Sequence, residues 1–190
     1  MKAIQFDIPA RASSVLKLAV ISDGHCDSPF FDAPAFVGIM NGIKAEKRLV
    51  IVNGDLLDAI LRTDIKRGAN HLMEHTDDQL NQKIKRVVEL LKPYQENILF
   101  IGRGNHESSC LKFNGVDVLD IICEMLNAGK EHKIICGNYS NWLRFNWYSS
   151  NGKSAAHYDI YMHHGAGGAA PVTKGMIDFD RLASSVDADL

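Results

Sequence analysis

The sequence predicts a mixed α/β protein with two sheets packed face to face. Three features predict it. Short apolar runs recur, each ending in a polar cluster, and amphipathic helical patterns alternate with them through the first two-thirds of the chain. The stretch 133–163 differs, being β-rich with closely spaced runs joined by a turn containing Asn151-Gly152. Alternating strands and helices argue for a βαβ sheet. A hairpin-like section argues for antiparallel pairing. Two sheets packed face to face fit this order better than one plain doubly wound sheet.

The elements follow in order. Residues 16–21 are an apolar run that enters Ser22-Asp23-Gly24-His25. A weak helical pattern covers about 35–47, and the run 49–52 enters Asn53-Gly54-Asp55. The clearest helix covers 76–92: Thr76 with Gln79 makes a capping box, Leu80, Ile84, Val87 and Leu91 form one apolar face, and Pro93 stops it. The run 98–101 enters Gly102-Arg103-Gly104-Asn105-His106-Glu107. A further helix covers 116–127, with Leu119, Ile122, Cys123 and Leu126 on one face and Gly129 just past its end. Runs at 133–136, 142–148 and 156–162 are β-rich, and 160–162 enters His163-His164-Gly165. A last helix covers about 178–186, using Phe179, Leu182 and Val186. The first three runs lack alternation, as strands buried on both faces do.

Size and composition narrow the class. The chain has 190 residues, which fits a single domain spanning 1–190. A globule of this size removes roughly 70% of its unfolded surface from water, enough for a true core. Apolar residues make up 46% and charged residues 23%, which excludes a disordered chain, a collagen-like fibre or a long coiled coil. The formal net charge is −2 and no basic run stands out, so binding of nucleic acid through a broad positive field is not indicated. A nuclease holding its substrate locally stays compatible with this charge. The N-terminus carries charges and a proline where a signal peptide needs an unbroken apolar stretch, and no window reaches membrane-helix length. Cys26, Cys110, Cys123 and Cys136 are far apart, so the expectation is reduced thiols in a cytoplasmic protein.

The polar clusters fall at the carboxyl ends of the apolar runs, where functional groups gather in open α/β sheets. Asp23-Gly24-His25 places a carboxylate and an imidazole two residues apart, able to grip one cation from an extended chain. Taken alone, it reads better as a helix N-cap aspartate beside a turn histidine. Asn53-Gly54-Asp55 is a common turn, or a glycine bend that projects Asp55 above the sheet. In Gly104-Asn105-His106-Glu107 the amide is a neutral metal ligand and the imidazole can meet a bound anion. His163-His164 precedes glycines that let backbone approach a ligand. Together, carboxylates, imidazoles and an amide are what two divalent cations require. One carboxylate can bridge two metals, which then clamp a phosphoryl group for in-line displacement.

The ordered set Asp23-x-His25, Gly54-Asp55, Gly104-Asn105-His106-Glu107 and His163-His164-Gly165 resembles the calcineurin-like metallophosphoesterase superfamily, and His163-His164-Gly165-Ala166-Gly167-Gly168 looks like its small phage and bacterial members. The resemblance implies a four-layer α/β/β/α sandwich, with two mixed sheets flanked by helices. It implies a hydrolase acting on phosphate mono- or diesters through a hydroxide bridging two metals (Mn, Fe or Zn). Asp23 and His25 would bind the first metal, Asp55 would bridge, and Asn105 and His163 would bind the second. His106 would be catalytic, stabilising charge or protonating the leaving oxygen, and Asn105, His106 and His164 would contact substrate. Glu107 would orient His106 or cap the next segment. The family's fifth motif, G-H-x-H, is absent, since no histidine follows His164. The expectation is a domain lacking its last strands.

Two rivals share this reading of the residues: a nuclease using the same site, and a non-catalytic scaffold that keeps the fold. His71 and His75, at i, i+4, have zinc-binding spacing but read better as exposed histidines. Residues 60–76, with Arg62, Lys66 and Arg67, read as a solvated loop or a lid. Cys26 reads as a small buried residue, and Trp142, Phe145, Trp147 and Tyr148 as packing of the second sheet.

Overall fold

The computed structural model describes residues 2–9, 15–59, 78–149, 151–165, 183–184, 186 and 188–189. In chain order the elements are β1 (Lys2–Pro9), β2 (Leu18–Ile21), α1 (Ala33–Ala45), β3 (Leu49–Asn53), α2 (Gln79–Leu91), β4 (Ile98–Gly102), α3 (Asn105–Asn114), α4 (Val118–Asn127), β5 (Ile135–Cys136), β6 (Ser140–Tyr148) and β7 (Ser154–His163). They belong to two compact units, one of Leu16–Tyr139 and one of Met1–Val15 with Ser140–Leu190.

The larger unit holds a four-stranded sheet in the order β2-β3-β4-β5. All its pairings are parallel. Ile51 faces Phe100 in register, and Phe100 faces Ile135. Every residue of β4 is buried, which explains its uninterrupted apolar run: a central parallel strand is covered on both faces. Met40 and Ile43 of α1, Ile84, Val87 and Leu91 of α2, and Leu119 and Ile122 of α4 complete the core.

Local chemistry sets the helix ends. Asp32 accepts the Ala35 N–H at 3.0 Å and opens α1, with Pro34 in its first turn. Asp117 accepts the Asp120 N–H at 3.2 Å and opens α4, and Gly129 beyond its end has φ +68°. Helix α2 keeps the predicted apolar face but has Asp78 at its N-cap, and Thr76 lies outside the described residues. Helix α3 was not expected. It buries only Glu107 and Cys110, so it carries no apolar stripe, and Gly115 at φ +69° ends it.

One of the two sheets departs from the expected mixed pairing. The run at 133–136 yields β5, which pairs with β4 in parallel and does not join the antiparallel section. The α3–α4 crossover returns the chain in the direction of β4, as a βαβ connection does.

The smaller unit holds the mixed sheet β1-β6-β7, in which β1 runs parallel to β6 and β6 antiparallel to β7. The hairpin expected at Asn151-Gly152 is present, with Gly152 at φ +75°. Leu143 and Phe145 are fully buried, and the Phe6 ring stacks on Phe145 at 5.1 Å. Strand β1 was not expected, although Ile4, Phe6 and Ile8 alternate with polar residues.

Residues 60–76, including His71 and His75, lie outside the described residues, as do Phe179 and Leu182 of the helix expected at 178–186. Among the described residues no helix is long and apolar enough to cross a membrane. The four cysteines are unbridged in the structure.

Candidate metal centre

The polar clusters follow β2, β3 and β4 in the parallel sheet and end β7 in the mixed one. Beyond the ends of β2 and β3 the parallel ladder continues through the loops. Asp23 N–H donates to Gly54 O at 3.1 Å, His25 N–H to Asp55 O at 3.0 Å, and Cys26 N–H to Leu56 O at 2.8 Å. This pairing holds the two loops side by side, at a cost in backbone conformation. Asp23, His25, Asp55 and Ala59 have φ of +56°, +41°, +49° and +47°. Left-handed backbone at non-glycine residues persists only where surroundings over-determine it, and it concentrates at functional sites.

The side chains so held converge. Ligand atoms of Asp23, His25 and Asp55 lie within 4.8 Å of one another, and so do those of His25, Asp58 and His106. Asp55 is 3% exposed, and its Oδ1 accepts the His106 backbone N–H at 2.9 Å, in the first turn of α3. A helix N-terminus favours such a charge. The His106 ring has Nδ1 at 2.6 Å from Asp58 O and 3.2 Å from Asp58 Oδ1, with Nε2 4.0 Å from Asp55 Oδ2. A carbonyl oxygen only accepts, so Nδ1 carries the hydrogen, and in the neutral ring Nε2 carries the lone pair. The His25 ring meets His106 edge to face at 4.7 Å.

Two buried carboxylates hold the loop between Asp55 and Ala59. Glu107, with no exposure, accepts N–H groups of Asp55 (3.2 Å), Leu57 (3.0 Å) and Gly104 (2.9 Å). Burial pushes its carboxyl above the usual range, opposed by the N–H groups of Leu57 and Gly104. Glu107 thus caps α3, one of its expected roles, and also fixes Asp55. Asp27 holds the far end of the loop, accepting N–H groups of Asp58 and Ala59. Gly104 is required beside Asp55, because a Cβ there would overlap Asp55 Oδ1 and Asp55 N.

These residues fit a cation. His25 Nδ1 is buried and makes no hydrogen bond, its 3.5 Å approach to Asp58 Oδ1 falling outside hydrogen-bond geometry. An orphaned imidazole nitrogen among carboxylates is costly unless something binds it. Carboxylate oxygen with imidazole nitrogen suits Mn²⁺, Fe or Zn²⁺.

Residues 16–184 match the calcineurin-like phosphoesterase family. The chain belongs to that family. No curated protein and no solved structure matches it. Calcineurin-like phosphoesterases are metal-dependent hydrolases of phosphoric esters, and the mixed α/β fold with two sheets agrees with that membership.

Of the residues singled out in the sequence of this calcineurin-like phosphoesterase, Asp23, His25, Asp55 and His106 come together in one unit. Asn105 is the first residue of α3 in the same unit, with its side chain exposed. His163 ends β7 in the other unit, where its Nδ1 accepts the Gly165 N–H at 2.9 Å and its ring lies over Tyr161. His164 follows it, half-buried.

Sequence reasoning missed Asp58, Asp27 and Tyr139. Asp58 stands three residues past Asp55 and was readable as a third carboxylate of that loop. Asp27 follows His25 by two, but nothing local marks its reach to residues 58 and 59. Tyr139 stands past the end of β5, its phenol pushed up by burial and by the Asp55 charge.

Proposed function

We propose that this chain hydrolyses phosphate mono- or diesters at a centre of two divalent cations, Mn²⁺, Fe or Zn²⁺. The observation that carries the reading is the convergence of Asp23, His25, Asp55, Asp58 and His106 around the orphaned Nδ1 of His25. Asp23, His25 and Asp55 would hold one cation. Asp55 and Asn105 would hold the second. When bound, the cations supply Lewis-acid polarisation of the phosphoryl oxygens and a water of lowered pKa.

The protein's own groups do the rest. Glu107 and Gly104 keep Asp55 in place, so the site is formed before substrate arrives. His106 commits its Nδ1 hydrogen to Asp58 and turns Nε2 toward the Asp55 side. Protonated at Nε2, the ring can hand a proton to the leaving oxygen, and Asp58 balances its charge. Lys83 and Arg103, described basic residues next to these loops, are committed to Asp27 and Asp117 at 2.7 and 2.5 Å.

The test is metal content after Mn²⁺ or Zn²⁺ loading, with hydrolysis of p-nitrophenyl phosphate and bis(p-nitrophenyl) phosphate. Two metals per chain with turnover are expected. Asp55→Ala should abolish turnover and lower the metal content, whereas His106→Ala should keep the metals and lower kcat. A chain that takes up no metal and hydrolyses neither ester would be a scaffold.

A further inference from the structure

Asp27 carries a fully enclosed carboxylate, with none of its side chain exposed, and the metal-site reading gives it no task. Its Oδ1 accepts the Asp58 N–H at 2.5 Å, and its Oδ2 accepts the Ala59 N–H at 3.1 Å and a bond from Lys83 Nζ at 2.7 Å. Lys83 reaches it from α2. An ion pair so desolvated gives little net stability, so its placement calls for another explanation.

The segment it grips supplies one. Ala59 is held at φ +47°, a left-handed conformation that alanine keeps only when its surroundings enforce it. One residue earlier, Asp58 offers two acceptors to one hydrogen, its carbonyl oxygen 2.6 Å and its Oδ1 3.2 Å from His106 Nδ1. The Asp27 carboxylate therefore fixes the backbone that fixes the tautomer of His106.

We propose that Asp27 and Lys83 form a positioning pair that sets the His106 tautomer through the Asp58–Ala59 backbone. The catalytic consequence rests on the role of His106 given above. Lys83 supplies the counter-charge without which a buried carboxylate draws in water and loosens its hold. Once the Asp58 carbonyl swings away, Nδ1 loses its acceptor, the hydrogen can sit on either nitrogen, and Nε2 is no longer held as the nitrogen that takes up and hands over the proton. The pair also couples α2 to the metal centre, since a shift of α2 moves Lys83.

The test uses the ¹⁵N-labelled full chain, metal-free for tautomer assignment by long-range ¹H–¹⁵N correlation and Mn²⁺-loaded for turnover of p-nitrophenyl phosphate. Wild type should show His106 with its hydrogen on Nδ1. Lys83→Met should show both tautomers, with kcat lowered about 10–100-fold, as for groups that orient metal-site histidines, and with KM and metal content unchanged. Lys83→Arg should restore the single tautomer and the rate. Asp27→Asn should act in the same direction. If it does not fold, Lys83→Met decides alone, because that side chain is partly exposed. A single Nδ1–H tautomer in folded Lys83→Met, or a failure of Lys83→Arg to restore it, overturns the proposal. Absence of turnover in wild type would count against the phosphoesterase reading alone, since the tautomer measurement needs no metal.

Discussion

Glu107 Oε2 accepts the backbone N–H of Asp55 at 3.2 Å from a side chain with no exposure to solvent. The same carboxylate takes the Leu57 and Gly104 N–H groups at 3.0 and 2.9 Å, so one buried side chain joins the loop after β3 to the start of α3. Glu107→Gln keeps the volume but turns an amide NH₂ toward at least one of these donors. The expected loss is about 1–3 kcal/mol, measured by urea denaturation of the metal-free protein at unchanged m-value. A glutamine variant as stable as wild type would show that these bonds do not hold the loop.

Gly104 makes the contact between these segments possible. An added Cβ would overlap both the Asp55 backbone nitrogen and its Oδ1. Neither is the far end of a flexible chain, so relief requires the Asp55 loop to move. Gly104→Ala is therefore expected to cost about 1–3 kcal/mol, as overpacking does, and to abolish metal-dependent turnover. The spare variant Gly38→Ala, in open space on α1, should do neither. A Gly104→Ala protein with wild-type metal content would show that Asp55 tolerates the shift.

The parallel sheet was legible because its strands are uniformly apolar and its helices α2 and α4 carry long stripes. Asp23, His25, Asp55 and His106 were legible because residue type and strand-end position coincide there. Helix α3 was not, since it is held by Glu107 and Cys110 with no stripe to read. The pairing of β5 was not either, since two residues cannot announce their direction. Asp58 was readable as a further carboxylate of the Asp55 loop, whereas Asp27 escaped for a physical reason: its carboxylate acts on backbone N–H groups, which leave no mark in a side-chain pattern. The left-handed residues Asp23, His25 and Ala59 escaped likewise, because only glycine advertises that conformation.

Cys26 adjoins His25, yet it is fully buried in the apolar core, and burial first, then the Asp27 charge, pushes its thiol up to about 12. At pH 8 about one in ten thousand such thiols is ionised, against a sizeable fraction of an exposed thiol at about 8.5. Iodoacetamide at pH 8 should leave Cys26 unmodified in the native protein and label it in urea, as read by mass spectrometry. The sign of the linkage follows. The folded value exceeds the unfolded one, so the stability that this thiol contributes is complete below about pH 8.5 and is lost as pH rises toward its folded value. Rapid native labelling would mean that the loop opens far more readily than its backbone bonds allow.

His25 should behave oppositely with and without metal. In the metal-free chain its buried Nδ1 has no hydrogen bond, so His25→Ala removes an unsatisfied group along with some packing, and the two effects oppose. The variant should then lie within about 1 kcal/mol of wild type, the usual size of a mild substitution. With metal the difference grows. A cation that binds only the folded chain, present at a hundredfold its Kd, stabilises by about 2.7 kcal/mol per site. Wild type should gain that increment on adding Mn²⁺ or Zn²⁺, and His25→Ala should lose most of it. Thermal or urea denaturation across a metal titration reads both. Were wild type indifferent to metal while His25→Ala stayed stable, the orphaned nitrogen would have to be explained by water and the cluster would not be a metal centre.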